Sequence, residues 1–432
     1  PMPFMSVADP GYSSEGGLDP LGLYASADSL AVQLVPGVRE RMNDPRYLTL
    51  IAVGHVVCDG FDPDEYAADG KSPPWQVYEW YVVEGLVRHF GEDRALQGLP
   101  GVEKGRSAVR NRLPLSASNY LKTAYVFGFH GNYKRLGEAL RIFDDTGLLE
   151  SGWALVDAWE RDQGLPGFHA EQGDNASWRR TLQEAVREGL NKGSTARKAH
   201  WQGWNFIGSF LAPNRTGKRE LGVLQNALYG ESDETRHQVL SFLVTPQARS
   251  LWEETGNSER RLHDLMRPRV SAEVQQLLDA TAAYETFARL LQDAFDDCLF
   301  ALTRAYGRQS PKQLSATPGV QRAVKAISAA YERAVQALEP VGEHARFVDS
   351  FSHLSDAVDP AAWTESLLAH HVRNQARKPP NGKNPWFDRF DDGAVAVRAG
   401  YTRDSGGYGD DRYVHAYRSN ALLSFAQRLN MI

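Results

Sequence analysis

The sequence predicts a mainly α-helical, multi-domain protein with an internal winged-helix-like domain and a small mixed α/β C-terminal module. Three observations carry this expectation. Apolar residues recur at helical spacing along most of the chain, while strand signals are confined to a few short runs. The segment SASNYLKTAYVFGFHGNYKRLGEALRIFDDTGLLESGWALVDAWERDQ (116–163) reads as two short helices, a Gly-containing turn, a tight apolar hairpin and a further helix. That order is the one a winged helix follows. A chain of 432 residues is also too long for one ordinary core and calls for several domains.

Residues 1–20 are rich in Gly, Ser and Pro and read as an extended arm. Helical patterning starts near Ser26, breaks at Pro36-Gly37 and resumes after Asp44-Pro45. Residues 60–74 form a polar loop with three prolines. An amphipathic helix follows over 75–89, carrying Trp75, Tyr78, Trp80, Tyr81, Leu86 and Val87. These elements make a first expected domain, 1–97. The joint Gly98-Leu99-Pro100-Gly101 leads into the winged-helix-like domain, 98–165.

A polar joint over 164–175 opens a helical domain, 166–345, whose longest helix spans 271–306 with heptad-like apolar spacing. An Ala-rich helix over 317–338 follows it. The last segment, 346–432, changes character. It holds a helix over 363–377, the turn Lys378-Pro379-Pro380-Asn381-Gly382-Lys383, a strand over 394–398, a Gly/Asp loop over 404–411 and a final helix over 417–429.

The net charge of −6 conceals an uneven distribution. Residues 101–141 hold eight Lys/Arg against Glu103 and Glu138, and residues 187–220 hold seven against Glu188 and Glu220. Residues 361–390 hold five against Glu365 and Asp388. An acidic body with basic stretches suits a polyanion binder, although a basic stretch is also an ordinary solvated helix face. Cys58 and Cys298 have no metal-ligand or redox spacing and read as buried thiols. No apolar run reaches the roughly 18 residues that span a bilayer, and the N-terminus lacks the regions of a signal peptide. The expected location is cytoplasmic, without a membrane.

In the winged-helix reading the helix over 133–143 is presented outward with Lys134, Arg135 and Arg141, and Lys122 precedes it. Phosphate neutralisation by such side chains supplies most of the affinity for duplex DNA. The wing would be Asp144-Asp145-Thr146-Gly147, acidic at its root. Between 197 and 219, cations alternate with rings: Lys198, Trp201, Trp204, Lys218 and Arg219, with Phe206 and Phe210. Ring platforms beside cations suit unstacked bases. The same spacing fits rings that anchor a buried turn.

Near the C-terminus, His370, His371, Lys378, Lys383, His415 and Arg418 form a candidate anion cluster. Adjacent His370 and His371 diverge on a helix and suit no single metal. Arg346 and His353, seven residues apart, would share one helix face and so offer a phosphate-holding cation beside an acid–base. Walker A, CxxC pairs, HExxH and GxSxG are all missing from the sequence, and no cofactor is expected.

Three stretches resemble a broad prokaryotic family of uncharacterised proteins found near restriction and anti-phage defence genes. They are LVPGVRERMNDPRYLTL (34–50), the Tyr133…Gly147-Leu148-Leu149…Gly152…Asp157 region, and the closing HHxxxQxxK…PW…HxYR pattern from His370 to Arg418. The resemblance implies context and carries over no catalytic residue. Together with the basic runs it sets the leading expectation: a non-catalytic subunit that binds nucleic acid, foremost the duplex DNA backbone, or an adaptor in a defence or DNA-processing system. The alternatives are a metal-independent nuclease using the C-terminal His/Lys/Arg residues and a protein–protein scaffold built on the 271–306 helix. DNA is the expected partner, and the sequence leaves partner subunits, homo-oligomers and catalysis open.

Overall fold

The computed structural model describes residues 19–232 and 234–432; the arm expected over 1–20 lies outside them except for Asp19 and Pro20. Among the described residues the chain forms nineteen α-helices and two short hairpins, so the protein is mainly helical. In chain order these begin with α1 (Tyr24–Leu34), α2 (Arg46–Val57), α3 (Pro74–Phe90), α4 (Val102–Arg110), α5 (Ala124–Phe127) and α6 (Phe129–Ala139). The hairpin β1 (Phe143–Asp144) and β2 (Gly147–Leu148) follows, then α7 (Glu150–Gln163), α8 (Ala176–Lys192) and α9 (Gln202–Phe210). Next come α10 (Lys218–Tyr229), α11 (Thr235–Leu243), α12 (Pro246–Glu254), α13 (Glu259–Met266), α14 (Ala272–Ala305) and α15 (Pro311–Leu314). The chain closes with α16 (Pro318–Leu338), α17 (His344–Phe351), α18 (Pro360–Ala376), the hairpin β3 (Phe387–Arg389) and β4 (Val395–Val397), and α19 (Ser419–Arg428).

Two compact units result. One joins the chain up to Leu34 with Thr245–Tyr417, and the other joins Val35–Val244 with Arg418–Ile432. The segment 98–165 lies inside the second unit, and 346–417 inside the first.

The first unit is built on α14, a helix of 34 residues. The apolar stripe of α16 runs Val320, Ala323, Ile327, Ala330, Ala334 and Leu338, so three alanines interrupt its larger side chains where it packs on α14. That lets Phe287, Leu291 and Phe295 of α14 fill the remaining space. Helices α1, α16 and α18 and strand β4 all pack on α14. The heptad-like spacing over 271–306 is thus used within the unit. Arg289 and Asp293 on α14 bind the Gly/Asp loop, with Asp293 accepting from the backbone of Tyr408 and Gly409. Asp388 pairs with Ala396 in the β3–β4 register.

The second unit is organised around α2, eleven of whose twelve residues are buried. Helices α3, α6, α7 and α8 pack on it. Burying that many faces brings Arg46 inside, and its Nε lies 2.5 Å from Glu220 with both side chains fully buried. The Arg46 Nη atoms donate to the carbonyls of Ala212 at 2.8 Å and Phe210 at 3.0 Å. Burial pushes the Arg46 guanidinium down and the Glu220 carboxyl up, against the attraction between them.

A second buried carboxylate sets the start of α6. Its N-cap, Gly128, has no side chain to satisfy the first amides, and Glu79 of α3 accepts from His130 N at 3.0 Å instead. A Cβ on Gly128 would fall 2.0 Å from Glu79 Oε1, so the close approach requires glycine. Tyr120 Oη donates to the same carboxylate at 2.7 Å.

Candidate nucleic-acid interface

Helix α4 buries only Gly105 and Ala108. A Cβ on Gly105 would lie 2.9 Å from Val83, so glycine lets α4 sit directly on α3 and turns its remaining faces to solvent. Those faces carry exposed Lys104 and Arg110, with Arg106 half-buried between them. Glu103 and Glu92 take Arg106, and Glu92 also takes Arg110. Beyond the helix, Arg112 is exposed at a positive φ of 55°.

The chain then turns inward at Leu115, and there the two basic runs meet. Ser116 forms an antiparallel bridge with Ser194. Thr195 N donates to Leu115 O at 2.9 Å, Leu115 N donates to Thr195 Oγ1 at 2.9 Å, and that hydroxyl donates on to Glu84. Ala196 N donates to Tyr81 Oη at 3.0 Å. Segments some eighty residues apart are thereby locked side by side, with Arg112, Lys122 and Lys198 exposed on them. None of these three makes an ion pair among the described residues, whereas Lys192 and Arg197 both pair with Glu188.

The rings of this region anchor the segment. Trp204 is buried, donates its Nε1 to Lys198 O at 2.9 Å, stacks near Tyr81 and lies under Arg88. Trp201 packs edge-on against Trp204 with the Arg197 guanidinium 5.4 Å from its ring. Trp204 therefore has no open face for a base, while Trp201 is half-buried. Apolar faces and cation contacts inside the fold outweigh solvent exposure for such large rings.

Helix α6 turns one face inward and the other outward. Phe129, Tyr133 and Leu136 are buried, with Phe129 and Tyr133 against Tyr47 of α2. Lys134 is exposed but shared between Asp145 at 3.4 Å and Glu138 at 3.6 Å, so the acidic turn of the hairpin draws off its charge. Arg135 and Arg141 are exposed without ion pairs among the described residues. Lys218 is exposed at the start of α10, while Arg219 reaches Asp162 at 3.1 Å. Helix α10 makes its main contacts with α7 and α11.

The C-terminal residues are bound up in the architecture of their units. His370 contacts Leu21 O at 2.6 Å and His353 at 3.0 Å. His371 contacts Pro20 O at 2.8 Å through Nδ1 and accepts from Trp386 N at 3.0 Å through Nε2. Asn374 and Lys378 both donate to Asp19 O. One face of α18 thus grips three successive carbonyls of the chain entering α1. Burial pushes both His370 and His371 down to about 4, which keeps them neutral in that role. Lys383 is exposed.

His415 lies 2.7 Å from Glu285, which also takes Tyr417 Oη at 2.6 Å. Arg418 belongs to the other unit, where its Nε donates to Val38 O at 3.0 Å. Arg346 and His353 do not share a helix face: α17 stops at Phe351, Arg346 pairs with Glu343, and His353 turns to His370.

The junction at Leu115 and Thr195 left no mark in the sequence, because it is made by backbone and a single hydroxyl. The fold and this site define a two-unit helical protein with a basic seam. Comparison with known protein families, with curated proteins and with solved structures finds no match for the chain.

Proposed function

We propose that this protein is a non-catalytic nucleic-acid-binding subunit that holds the backbone of duplex DNA. The observation that carries the reading is the pairing of the two basic runs across Ser116 and Ser194, with Arg112, Lys122 and Lys198 exposed at the seam. Unpaired, solvated cations on a fixed backbone are what counterion release requires, and they read charge without reading bases. The order α4, α5, α6, hairpin and α7 supports a winged-helix-like arrangement. In it the seam and the exposed Arg135 and Arg141 make the contacts, and the acidic turn at Asp144 and Asp145 stays off the phosphates. The resemblance to proteins encoded near defence genes favours reading such a subunit as an adaptor in a defence or DNA-processing system.

The test is fluorescence anisotropy with a labelled 30-bp duplex (about three helical turns) and charge reversal at the seam. Arg112→Glu with Lys198→Glu weakens binding at least tenfold in this reading, and Lys134→Glu, whose charge is already shared, weakens it far less. Equal effects of the two sets, or no binding at low salt, would overturn the assignment.

A further inference from the structure

The second unit contains a cleft of about 530 Å³ that the basic seam does not use. Its floor is the C-terminal half of α2 with His55, and its sides come from Trp75, Phe61, the β1–β2 hairpin and Trp153. The rings are fixed in place. Trp75 lies parallel to His130, with centroids 4.2 Å apart and planes 16° from each other, and His55 leans on Phe143 at 5.0 Å. Trp153 remains 47% exposed at the edge, so the cleft has an aromatic wall that solvent and a ligand both reach.

Charge decides what this wall takes. Four carboxylates line the cleft (Asp59, Asp62, Asp144 and Asp145) against two cations, Lys134 and Arg179. Both cations are already committed, Lys134 to Asp145 at 3.4 Å and Arg179 to Asp59 at 3.2 Å. Neither imidazole adds positive charge at neutral pH, since burial pushes His130 down to about 3 and lowers His55. Asp144 stays ionised, held below the usual carboxylate range by hydrogen bonds from Thr146. The cleft is therefore net negative with Asp62 and Asp144 uncompensated by any ion pair among the described residues.

A phosphate-bearing ligand would meet that charge unfavourably. Aromatic faces beside carboxylates instead favour an organic cation, which gains from the ring quadrupoles and the carboxylates together. We propose that this cleft binds an organic cation of the guanidinium or alkylammonium class. A free polyamine and an arginine side chain of a basic peptide present that shared chemistry.

Isothermal titration calorimetry on the full chain tests this with three probes: spermidine, acetyl-Ala-Arg-Ala-amide and AMP. One or both cations should bind, and the pair separates a polyamine site from a peptide site. The double variant Asp62→Asn with Asp144→Asn keeps the local amide hydrogen bonds and should weaken the cation about fivefold or more, as should Trp153→Ala. Circular dichroism confirms that each variant is folded. Binding of AMP in competition with the cation would overturn the proposal. So would absence of heat with both cations, or cation affinity unmoved by either substitution. The outcome is independent of duplex binding at the seam, which the cleft residues do not form.

Discussion

Glu79 sits fully buried at the start of α6, and replacing it with Gln gives a pH signature whose sign can be worked out in advance. Burial raises its carboxyl from 4.5 to about 7, against hydrogen bonds from Tyr120 and from the amides of His130 and Phe129. A folded-state value above the unfolded one means that the folded protein binds the proton more tightly. The stabilisation is fully present below pH 4.5 and is lost as the pH rises through about 7. At about 1.4 kcal/mol per unit, the loss approaches about 3 kcal/mol as an upper bound. Gln keeps one acceptor oxygen, for the His130 amide, and turns its NH2 as a donor to Tyr120 Oη, but it does not titrate. Urea unfolding followed by tryptophan fluorescence, at pH 4 and pH 8, measures the difference between variant and wild type. The variant should gain on the wild type by up to about 3 kcal/mol across that range. A difference that stays constant, or that moves toward the wild type as pH rises, would refute the assignment of a desolvated carboxyl at this helix start.

Other perturbations follow from the same packing. Arg46→Ala leaves Glu220 buried without its cation and should cost about 3–5 kcal/mol in urea unfolding, with Arg46→Met plus Glu220→Leu recovering much of it. His263 is buried between Tyr413 and Tyr417 with neither ring nitrogen hydrogen-bonded, so His263→Phe should stabilise the protein by about 1 kcal/mol, read as a higher unfolding midpoint. The clamp of His370 and His371 works in the opposite pH direction to Glu79. Both have folded values depressed to about 4, so their contribution is present above pH 6.5 and is lost as the pH falls toward 4; near-UV circular dichroism should show this loss, reduced in His371→Gln.

Much of the helical framework was legible because amphipathic spacing is a local property. The stripe of α16, the Pro-initiated α3 and the break at Pro36-Gly37 all follow from neighbours in sequence. The hairpin at Asp144 to Gly147 was legible for the same reason, since a turn needs Asp and Gly at fixed offsets. What could not be read was which surface each stripe would meet. The 271–306 helix carries a partner-like pattern, and only tertiary packing assigns α16 as its cover. The C-terminal histidines were conspicuous by composition, yet their partners are backbone carbonyls more than 300 residues away. Charge counting found both basic runs, but it took the bond between Thr195 and Leu115 to bring them together, and it could not foresee that Asp145 neutralises Lys134.

The most direct measurement of the central reading is the salt dependence of affinity for a duplex of about 30 bp. With Arg112, Lys122, Lys198, Arg135 and Arg141 each neutralising one phosphate, raising salt from about 50 to about 200 mM should weaken binding roughly 500-fold. The slope should fall by about one-fifth for each of these cations removed. Affinity that does not change with salt, or a slope unaltered by Lys198→Ala, would contradict the account.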